Sequence, residues 1–431
     1  MDTDEAENGV EEAGSEDIFS DIDEIQNETS LFQNRQLLHV GHVPKKDRII
    51  GRDEEIHKIA TEYYPLTQGN PANNILVYGK TGTGKSLVTR YVMGSTRKKG
   101  RSNGYDIATV YVDCSEDNTH TRAVREIAQS LAEKADENYS IPLTGIGSSE
   151  YYKYIWRILE EFDSMIIILD EIDKLDNDDI LMQLSRAKET GSTSKHIQIT
   201  AISNKIEYKD RLSERVLSSL SENEFVFHPY DATQLREILK KRKEAFKEGV
   251  LGENVIPLAA AFSAKEHGDA RKAIDIFRKA GEIAGKKGSE KVLEEHIREA
   301  QDHAEMSRLK ELISGSTPHV KLILYTLAQL TQDKTDNIPI STGDVYRNYR
   351  KVCDYVGIDS LGEERVYQLL KEQAFLGVLE SEKTGGGRGR GMYLTHRLIT
   401  DPKIVLSVVL DDQRLSSLKG VDMGLSPRKK D

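Results

Sequence analysis

The sequence predicts three folded domains in order: a P-loop α/β domain with a parallel sheet, an all-helical domain, and a winged helix-turn-helix domain. Three observations lead to this prediction. Apolar segments of strand length alternate with helical stretches up to about residue 228, helical periodicity then continues alone, and three helices finally precede a hairpin. Strands that alternate with helices are typical of a parallel α/β sheet. The 431 residues also exceed one ordinary globular core.

Composition restricts the class of protein. No apolar run approaches the ~20 residues that a membrane span needs, and the N-terminus lacks a basic and apolar signal region. The two cysteines, Cys114 and Cys353, are too few for a disulfide scaffold or a cysteine-based zinc ribbon. We therefore expect a reducing, cytoplasmic location and no membrane partner.

The net charge of −12 originates in the first thirty residues. Of the 72 acidic residues, twelve lie in residues 1–30, which contain no Lys or Arg, and the remaining 60 balance the 60 Lys and Arg residues. Residues 1–30 are therefore expected to be an acidic disordered tail. The alternative is a nucleic-acid mimic that competes for a basic surface. Because the rest of the chain is neutral, the acidic total does not exclude nucleic-acid binding.

The folded segments are expected at residues 31–228, 229–314 and 317–413, with a C-terminal tail at 414–431. Strands of the first domain are predicted at Asn74–Tyr78, Ile107–Val112, Met165–Leu169 and Ile197–Ile202. Helices of the second domain are predicted at Ala232–Glu248, Leu258–His267, Ala270–Lys286 and Glu290–Glu311. The third domain is predicted to contain helices His319–Thr331, Thr342–Val356 and Gly362–Leu376, then strands Val378–Glu382 and Gly391–Leu394 around a tip at Lys383–Arg390.

A phosphate-binding motif follows the first predicted strand. Its residues are Gly79, Lys80, Thr81, Gly82, Thr83, Gly84, Lys85 and Ser86, a full match to G-x-x-x-x-G-K-[ST] between a strand and a helix. The glycines let successive backbone N–H groups turn towards phosphate oxygens, and the helix N-terminus adds partial positive charge. Lys85 is expected to reach the β- and γ-phosphates, and Ser86 to ligate Mg²⁺. The motif and the adjacent Leu87 therefore predict a site for ATP or ADP with Mg²⁺.

Polar residues at the ends of two later strands complete this prediction. Asp170 and Glu171 follow the strand Met165–Leu169. We expect Asp170 to hold Mg²⁺ and Glu171 to orient and deprotonate the attacking water. Asn204, after the next strand, is expected to contact the γ-phosphate and that water, with an ordinary turn residue as the alternative. Arg271, at a helix start in the second domain, is a candidate for the β/γ-phosphates, and a solvated arginine is the alternative.

Taken together, these motifs and the terminal winged helix resemble the archaeal origin-recognition and cell-division-cycle type replication initiator family over about residues 31–410. The resemblance implies an α/β P-loop AAA+ core with a parallel sheet, an all-helical lid and a C-terminal winged helix-turn-helix domain. Four further segments are similar to the family: Ile49–Glu55, Pro142–Gly145, Asp178–Arg186 and His267–Ala273. The first contains Arg52 and looks like the segment that packs on adenine, and Tyr230 is expected at the nucleotide as well.

The resemblance implies an ATPase that binds duplex origin DNA, is switched by ATP binding and slow hydrolysis, and helps to recruit the replicative helicase. Other copies or paralogues on DNA and a nucleoid-associated location are implied as well. Ring-type relatives complete catalysis with an arginine from a neighbouring subunit, and Arg215 occupies the matching place. A structural surface arginine is the alternative there. For the whole chain, the alternatives are a DNA-binding transcriptional regulator on the same scaffold and a signal-transduction ATPase.

Candidate DNA contacts lie in two domains. The recognition helix is predicted at Gly362–Leu376, where Arg365 and Lys371 are the basic residues. Arg388 and Arg390 at the hairpin tip suit minor-groove or phosphate contacts, and a solvated turn is the alternative. Arg186 is expected to touch DNA from the ATPase domain. Residues 317–431 carry 17 basic and 15 acidic residues, so specific binding would need local clustering of charge rather than a general basic patch.

Overall fold

The computed structural model describes residues 30–39, 49–220, 223–266, 268–332, 339–386, 390–421 and 423–426. The acidic segment 1–29, the tip residue Arg388 and residues 427–431 lie outside the described residues. The chain divides into two compact units, the first ending at Ile297 and the second beginning at Arg298. The division falls within the helix Glu294–Ser314.

A parallel sheet of five strands forms the centre of the first unit, in the order β2-β3-β4-β1-β5. The strands are β1 Ile75–Gly79, β2 Ile107–Asp113, β3 Ser164–Asp170, β4 His196–Ser203 and β5 Glu224–Phe227. The four predicted strands are confirmed to within a residue at each end. β1 and β3 are buried along their whole length, as expected of strands covered on both faces. β5 was not predicted, because this short edge strand leaves half of its residues exposed.

Helices cover both faces of the sheet. In the part described, the helices of this α/β region are α1 Asp53–Tyr63, α2 Lys85–Ser102, α3 His120–Ala132, α4 Ser148–Leu159, α5 Asp179–Ser185 and α6 Glu214–Leu220. Alternate residues of β1 belong to different cores: Leu76 packs with side chains of α3 and α4, and Val77 with side chains of α1 and α2. This period of two is that of a strand with both faces buried.

The helical part of the first unit contains α7 Ala232–Lys241, α8 Val255–Lys265 and α9 Ala270–Lys286. The last matches its prediction. The predicted helix Ala232–Glu248 was too long, because α7 stops at Lys241 and a short 3₁₀ turn follows. There the Ala245 carbonyl accepts hydrogen bonds from the N–H groups of Gln33 and Asn34, and the ring of Phe246 packs at a tilt against Phe32. Two further helices were wrong at both ends. α8 was predicted at Leu258–His267, and α10, which spans Glu294–Ser314, was predicted at Glu290–Glu311.

The second unit is a small helical domain with a wing. Its elements are α11 Pro318–Thr331, β6 Ile340–Ser341, α12 Thr342–Val356, α13 Glu363–Phe375, β7 Leu379–Gly386, β8 Arg390–Leu398 and α14 Pro402–Val409. The strands form an antiparallel sheet in the order β6-β8-β7. The predicted hairpin strands were too short, because Lys383 and Thr384 pair with Leu394 and Tyr393 instead of lying in the tip. Among the described residues, no helix combines the length and apolar character that a membrane crossing requires.

Candidate nucleotide site and candidate nucleic-acid interface

The loop between β1 and α2 depends on glycine at two positions. Gly82 and Gly84 have φ angles of +77° and +90°, a region that other residues rarely adopt. A Cβ on Gly84 would lie 2.6 Å from the hydroxyl oxygen of Tyr230, and one on Gly82 would collide with the carboxylate of Asp269. Tyr230 and Asp269, which belong to the segment after the sheet, therefore pack directly against the loop. The loop passes directly into α2 at Lys85, as the motif predicts.

Lys85 is buried at the floor of the site. Its Nζ donates to the carbonyls of Gly79 (2.6 Å) and Lys80 (2.9 Å) and to Oδ1 of Asn204 (2.8 Å). Burial lowers the pKa of Lys85 to about 8, while the nearby carboxylate of Asp170 opposes the shift. The amine is thus fixed between the end of β1 and the end of β4.

Asp170 and Glu171 lie at the carboxyl end of β3, next to this amine. Each oxygen of Asp170 accepts one hydrogen bond, Oδ1 from the Glu171 N–H (2.9 Å) and Oδ2 from the Tyr111 hydroxyl (2.8 Å). Glu171 has a φ of +50°, unique among the non-glycine residues described. Such a conformation costs ~1–3 kcal/mol and tends to occur at functional sites. The Nδ2 of Asn204 donates to Oε1 of Glu171 (3.1 Å), so one side chain links the lysine to the carboxylate.

The helical part contributes its own side of the site through the start of α9. Asp269 caps this helix by accepting from the N–H of Arg271 (2.7 Å), and the N–H of Ala270 donates to the carbonyl of Gly82 (3.2 Å). Gly268, at φ +67°, accepts from the Tyr230 N–H (3.1 Å). The first turn of α9 therefore contacts the phosphate-binding loop directly, with the exposed Arg271 beside the cleft.

These residues surround a cleft of about 310 Å³. Eleven of the predicted site residues line it: Thr81, Gly82, Gly84, Lys85, Ser86, Leu87, Asp170, Glu171, Asn204, Tyr230 and Arg271. The lining residues that were not predicted are Ile49, Ile50, Arg90, Tyr111, Ile238, Arg242, Ala270 and Ile274. Ile49 and Ile50 lie in the segment that resembles the family, which was the available signal for them. Ile238 and Ile274 gave no such signal, since in sequence they read as core positions of amphipathic helices.

Arg52 lies behind the loop instead of lining the cleft. It is buried, and its guanidinium donates to the carbonyls of Thr83 (3.0 Å) and His228 (2.5 Å) and to Glu55 (2.8 Å). The same group lies 4.0 Å from the ring centroid of Tyr230, in cation–π geometry. Arg52 thus joins the loop to the lid, and it acts on the cleft through these neighbours. The other predicted loop residues that do not line the cleft are Gly79, Lys80 and Thr83.

Arg215 is exposed near the start of α6 and does not line the cleft. Its place within one copy of the chain therefore gives it no contact with the candidate nucleotide site.

Three of the candidate DNA contacts, Arg186, Arg365 and Lys371, are exposed and pair with near neighbours in sequence. Arg365 on α13 lies 3.5 Å from Glu372, and Lys371 lies 5.6 Å over the ring of Tyr367. In the first unit Arg186, just after α5, pairs with Glu189 at 3.2 Å. Exposed pairs of this kind contribute ~0–1 kcal/mol, so phosphate oxygens could replace the acidic partners. Arg390 begins β8, and Arg388 lies outside the described residues.

The fold and the site define the class of protein: a P-loop nucleotide-binding ATPase of the AAA+ type with a helical lid and a C-terminal winged helix domain. Three domain families match the chain. An AAA domain matches residues 69–211, a Cdc6 AAA+ ATPase-type lid domain matches 236–302, and the CDC6 C-terminal winged helix domain matches 311–408. The predicted fold class is therefore confirmed.

Whole-chain relatives identify the family. The chain is 48% identical over 386 residues to ORC1-type DNA replication protein 4 of Halobacterium salinarum, covering 89% of this chain and 94% of that protein. It is 45% identical to ORC1-type DNA replication protein 17 of Haloarcula marismortui, covering 91% and 98% respectively. The chain belongs to the ORC1-type DNA replication protein family, as the resemblance implied, and the transcriptional-regulator alternative is not favoured.

A solved structure supports the same assignment. The chain is similar to the Aeropyrum pernix ORC1 protein, solved in complex with DNA, with 32% identity and a TM-score of 0.65. The similarity covers 90% of this chain and 98% of that chain. It therefore includes both compact units.

Proposed function

We propose that this protein is an ATP-switched replication initiator that binds duplex origin DNA and helps to recruit the replicative helicase. The observation that carries the proposal is a single cleft in which Lys85, Asp170, Glu171 and Asn204 meet the first turn of the lid helix α9. Membership of the ORC1-type family supports the replication role. In the cell, we expect the protein in the cytoplasm, associated with the nucleoid.

The cleft has the chemistry needed for ATP or ADP with Mg²⁺. The loop N–H groups, Lys85 and Arg271 supply positive charge and donors for phosphates. Ser86 and Asp170 offer the hard oxygen ligands that Mg²⁺ prefers, and Mg²⁺ commonly takes only one or two protein ligands beside phosphate and water. No group of three or more His, Cys, Asp or Glu in the described chain could form a separate metal site. The donors therefore fit a magnesium ion that arrives with the nucleotide, where it would neutralise phosphate charge.

We assign Glu171 as the general base for ATP hydrolysis and Asn204 as the residue that positions its carboxylate. The carboxylate is positioned by the 3.1 Å hydrogen bond from Asn204, whose other amide atom accepts from Lys85. A carboxylate fixed beside the phosphate lysine can orient a water molecule and accept its proton. Because Arg215 does not line the cleft of its own chain, we assign it to the cleft of a neighbouring copy on DNA. Turnover would be slow until the copies assemble.

Switching follows from the contact between the loop and the lid. The Ala270 N–H donates to the Gly82 carbonyl, and Asp269 fills the space beside Gly82. We expect the phosphates of a bound nucleotide to alter this contact, and ATP and ADP, which differ by the γ-phosphate, to favour different lid positions. DNA contacts are assigned to Arg186 in the first unit and to Arg365, Lys371, Arg388 and Arg390 in the second. We expect both the ATPase domain and the winged-helix domain to contact duplex DNA.

Equilibrium binding to duplex DNA tests the proposal. Fluorescence anisotropy would compare an origin duplex with a shuffled duplex of equal length, in the presence of ATP, ADP or no nucleotide. We expect the origin duplex to bind more tightly, and more so with ATP than with ADP. Lys85→Ala should lose the nucleotide effect, while Lys98→Ala, an exposed lysine on the same helix, should keep it. Equal binding to both duplexes would contradict origin recognition, and equal binding with each nucleotide would contradict switching.

A further inference from the structure

Tyr111 makes a contact in the cleft that neither the phosphate-binding motif nor the strand-end residues account for. It lies on β2, and its hydroxyl donates to Oδ2 of Asp170 at 2.8 Å. Asp170 is 5% exposed, and its Oδ1 accepts from the Glu171 N–H at 2.9 Å. A hydrogen bond to each oxygen fixes the orientation of the Asp170 carboxylate about its Cβ–Cγ bond.

The position of Tyr111 in the sheet makes this contact specific. The backbone partner of Asp170 on β2 is Asp113, and Tyr111 is paired with Ile168. The tyrosine side chain therefore reaches along the strand to the end of the sheet, where the cleft lies. Tyr111 is only half-buried and lines the cleft, so water could satisfy its hydroxyl. Burial alone thus gives no reason for the hydrogen bond to Asp170.

Arg90 fixes the ring of the same tyrosine. Its guanidinium lies 4.7 Å from the Tyr111 ring centroid, and both residues line the cleft. Arg90 is four residues after Ser86 on α2, so the two side chains project from the same helix face. Arg90 thus lies on the helix face of one candidate magnesium ligand, Ser86, and holds the tyrosine that contacts the other, Asp170.

We propose that Tyr111 is a positioning residue that sets the affinity of the nucleotide site for Mg²⁺ by holding the carboxylate of Asp170. The inference rests on the proposed Mg²⁺–ATP site and adds to it a residue that determines how tightly the metal is held. Partners that orient a metal ligand commonly change metal affinity by about 10–100-fold when they are removed. Tyr111 is such a partner, because its hydroxyl orients the carboxylate of the candidate ligand Asp170.

Calorimetric binding of ATP at increasing Mg²⁺ concentration tests the inference without a turnover assay. Tyr111→Phe keeps the ring under Arg90 and removes only the donor. We expect the Mg²⁺ concentration that gives half of the maximal gain in ATP affinity to rise by about 10-fold. The affinity for ATP measured with EDTA should stay at the wild-type value. Equal Mg²⁺ curves for both proteins, or an equal loss of affinity with and without Mg²⁺, would overturn the inference.

A matched control and a double variant show whether the effect passes through Asp170. The hydroxyl of Tyr78 on β1 is buried and lacks a hydrogen-bond partner among the described residues, so Tyr78→Phe should leave the Mg²⁺ curve unchanged. In an Asp170→Asn background, Tyr111→Phe should cause no further shift. The same shift in both backgrounds would overturn the inference. If the ATP affinity of the wild-type protein did not depend on Mg²⁺ concentration, the proposed Mg²⁺–ATP site itself would be overturned.

Discussion

The two units of this protein carry their functional residues in different ways. In the first unit, residues from the ends of β1, β3 and β4 and from the start of α9 meet in one cleft, joined by hydrogen bonds. In the second unit, the candidate DNA contacts Arg365 and Lys371 are exposed side chains, each engaged with a neighbour on its own helix. The candidate nucleotide site is therefore a cleft of linked residues, whereas Arg365, Lys371 and, from the first unit, Arg186 are separate exposed side chains.

The difference reflects what each ligand demands. A triphosphate is small and multiply charged, so its site needs backbone N–H groups and fixed side chains, which a short contiguous motif can encode. Duplex DNA offers phosphates at regular spacing, and long basic side chains meet it from a solvated surface. The residues of a nucleotide site are therefore largely linked to one another before the ligand binds, whereas residues that contact DNA can lie apart on a solvated surface.

The largest expected effect concerns Glu171. Glu171→Gln keeps the size of the side chain and its contact with Asn204 but removes the proton acceptor, so turnover should fall by about 1,000-fold. ATP affinity should be unchanged, as measured by calorimetry. Glu116→Gln, an exposed glutamate in the same unit, is the control for the charge change. Wild-type turnover in Glu171→Gln would exclude Glu171 as the base.

The second-largest effect is expected for the removal of Lys85. Lys85→Ala removes the buried cation at the floor of the cleft, and two charged hydrogen bonds to phosphate are together worth about 3–6 kcal/mol. ATP affinity should therefore fall by at least about 100-fold, measured by calorimetry with Lys98→Ala as the matched control. ATP affinity equal to that of the wild type would refute the assignment of the loop as the phosphate site.

In the second unit, a pH effect should arise from His396 at the centre of the wing sheet. Its ring nitrogens hydrogen-bond the hydroxyls of Thr342 and Ser381, both at 2.8 Å, and burial lowers its pKa to about 4. The unfolded chain, with a pKa near 6.5, binds the proton first. The stability of the wing should therefore be fully present above about pH 6.5 and fall by about 3 kcal/mol as the pH approaches 4.

Hydrogen exchange of β7 and β8, corrected for the intrinsic rate at each pH, measures this loss. His396→Gln keeps a polar side chain without the titration, so protection of the wing in this variant should depend much less on pH. Identical pH dependence in the variant and the wild type would show that other groups govern the stability of the wing.

The smallest effect is expected at the tip of the wing. Arg388→Ala combined with Arg390→Ala should lower the affinity for duplex DNA by about tenfold and flatten the salt slope by about 2, one for each lost phosphate contact. Lys403→Ala, an exposed charge on α14 outside the hairpin, serves as the control. Equal binding curves at several salt concentrations would show that the tip does not contact DNA.

The sequence predicts the first unit well where the signal is local. The phosphate-binding loop, the strand that ends at Asp170 and the helix Ala270–Lys286 each depend on a contiguous pattern of a few residues, and each lies where the sequence places it. Tyr111 could not be found in this way, because its role depends on the register of β2 against β3. The supporting place of Arg52 likewise depends on carbonyls distant in sequence.

Short or uniformly buried elements were harder to predict. β5 and β6 have four and two residues, too few for periodicity to show. α14 was missed because its sequence, PKIVLSVV, is apolar almost throughout and has no marked polar face. In contrast, α12 Thr342–Val356 alternates buried and exposed positions at helical spacing, and both of its ends were predicted.

A crosslinking map of bound chromosomal DNA tests the central claim most directly, taken with the wild type and with Glu171→Gln. The account predicts a few sharp peaks in intergenic repeats that coincide with replication start sites, and stronger peaks in the variant, which should remain in its ATP-bound form. Peaks at promoters with no relation to replication starts, or no peaks in either protein, would contradict it.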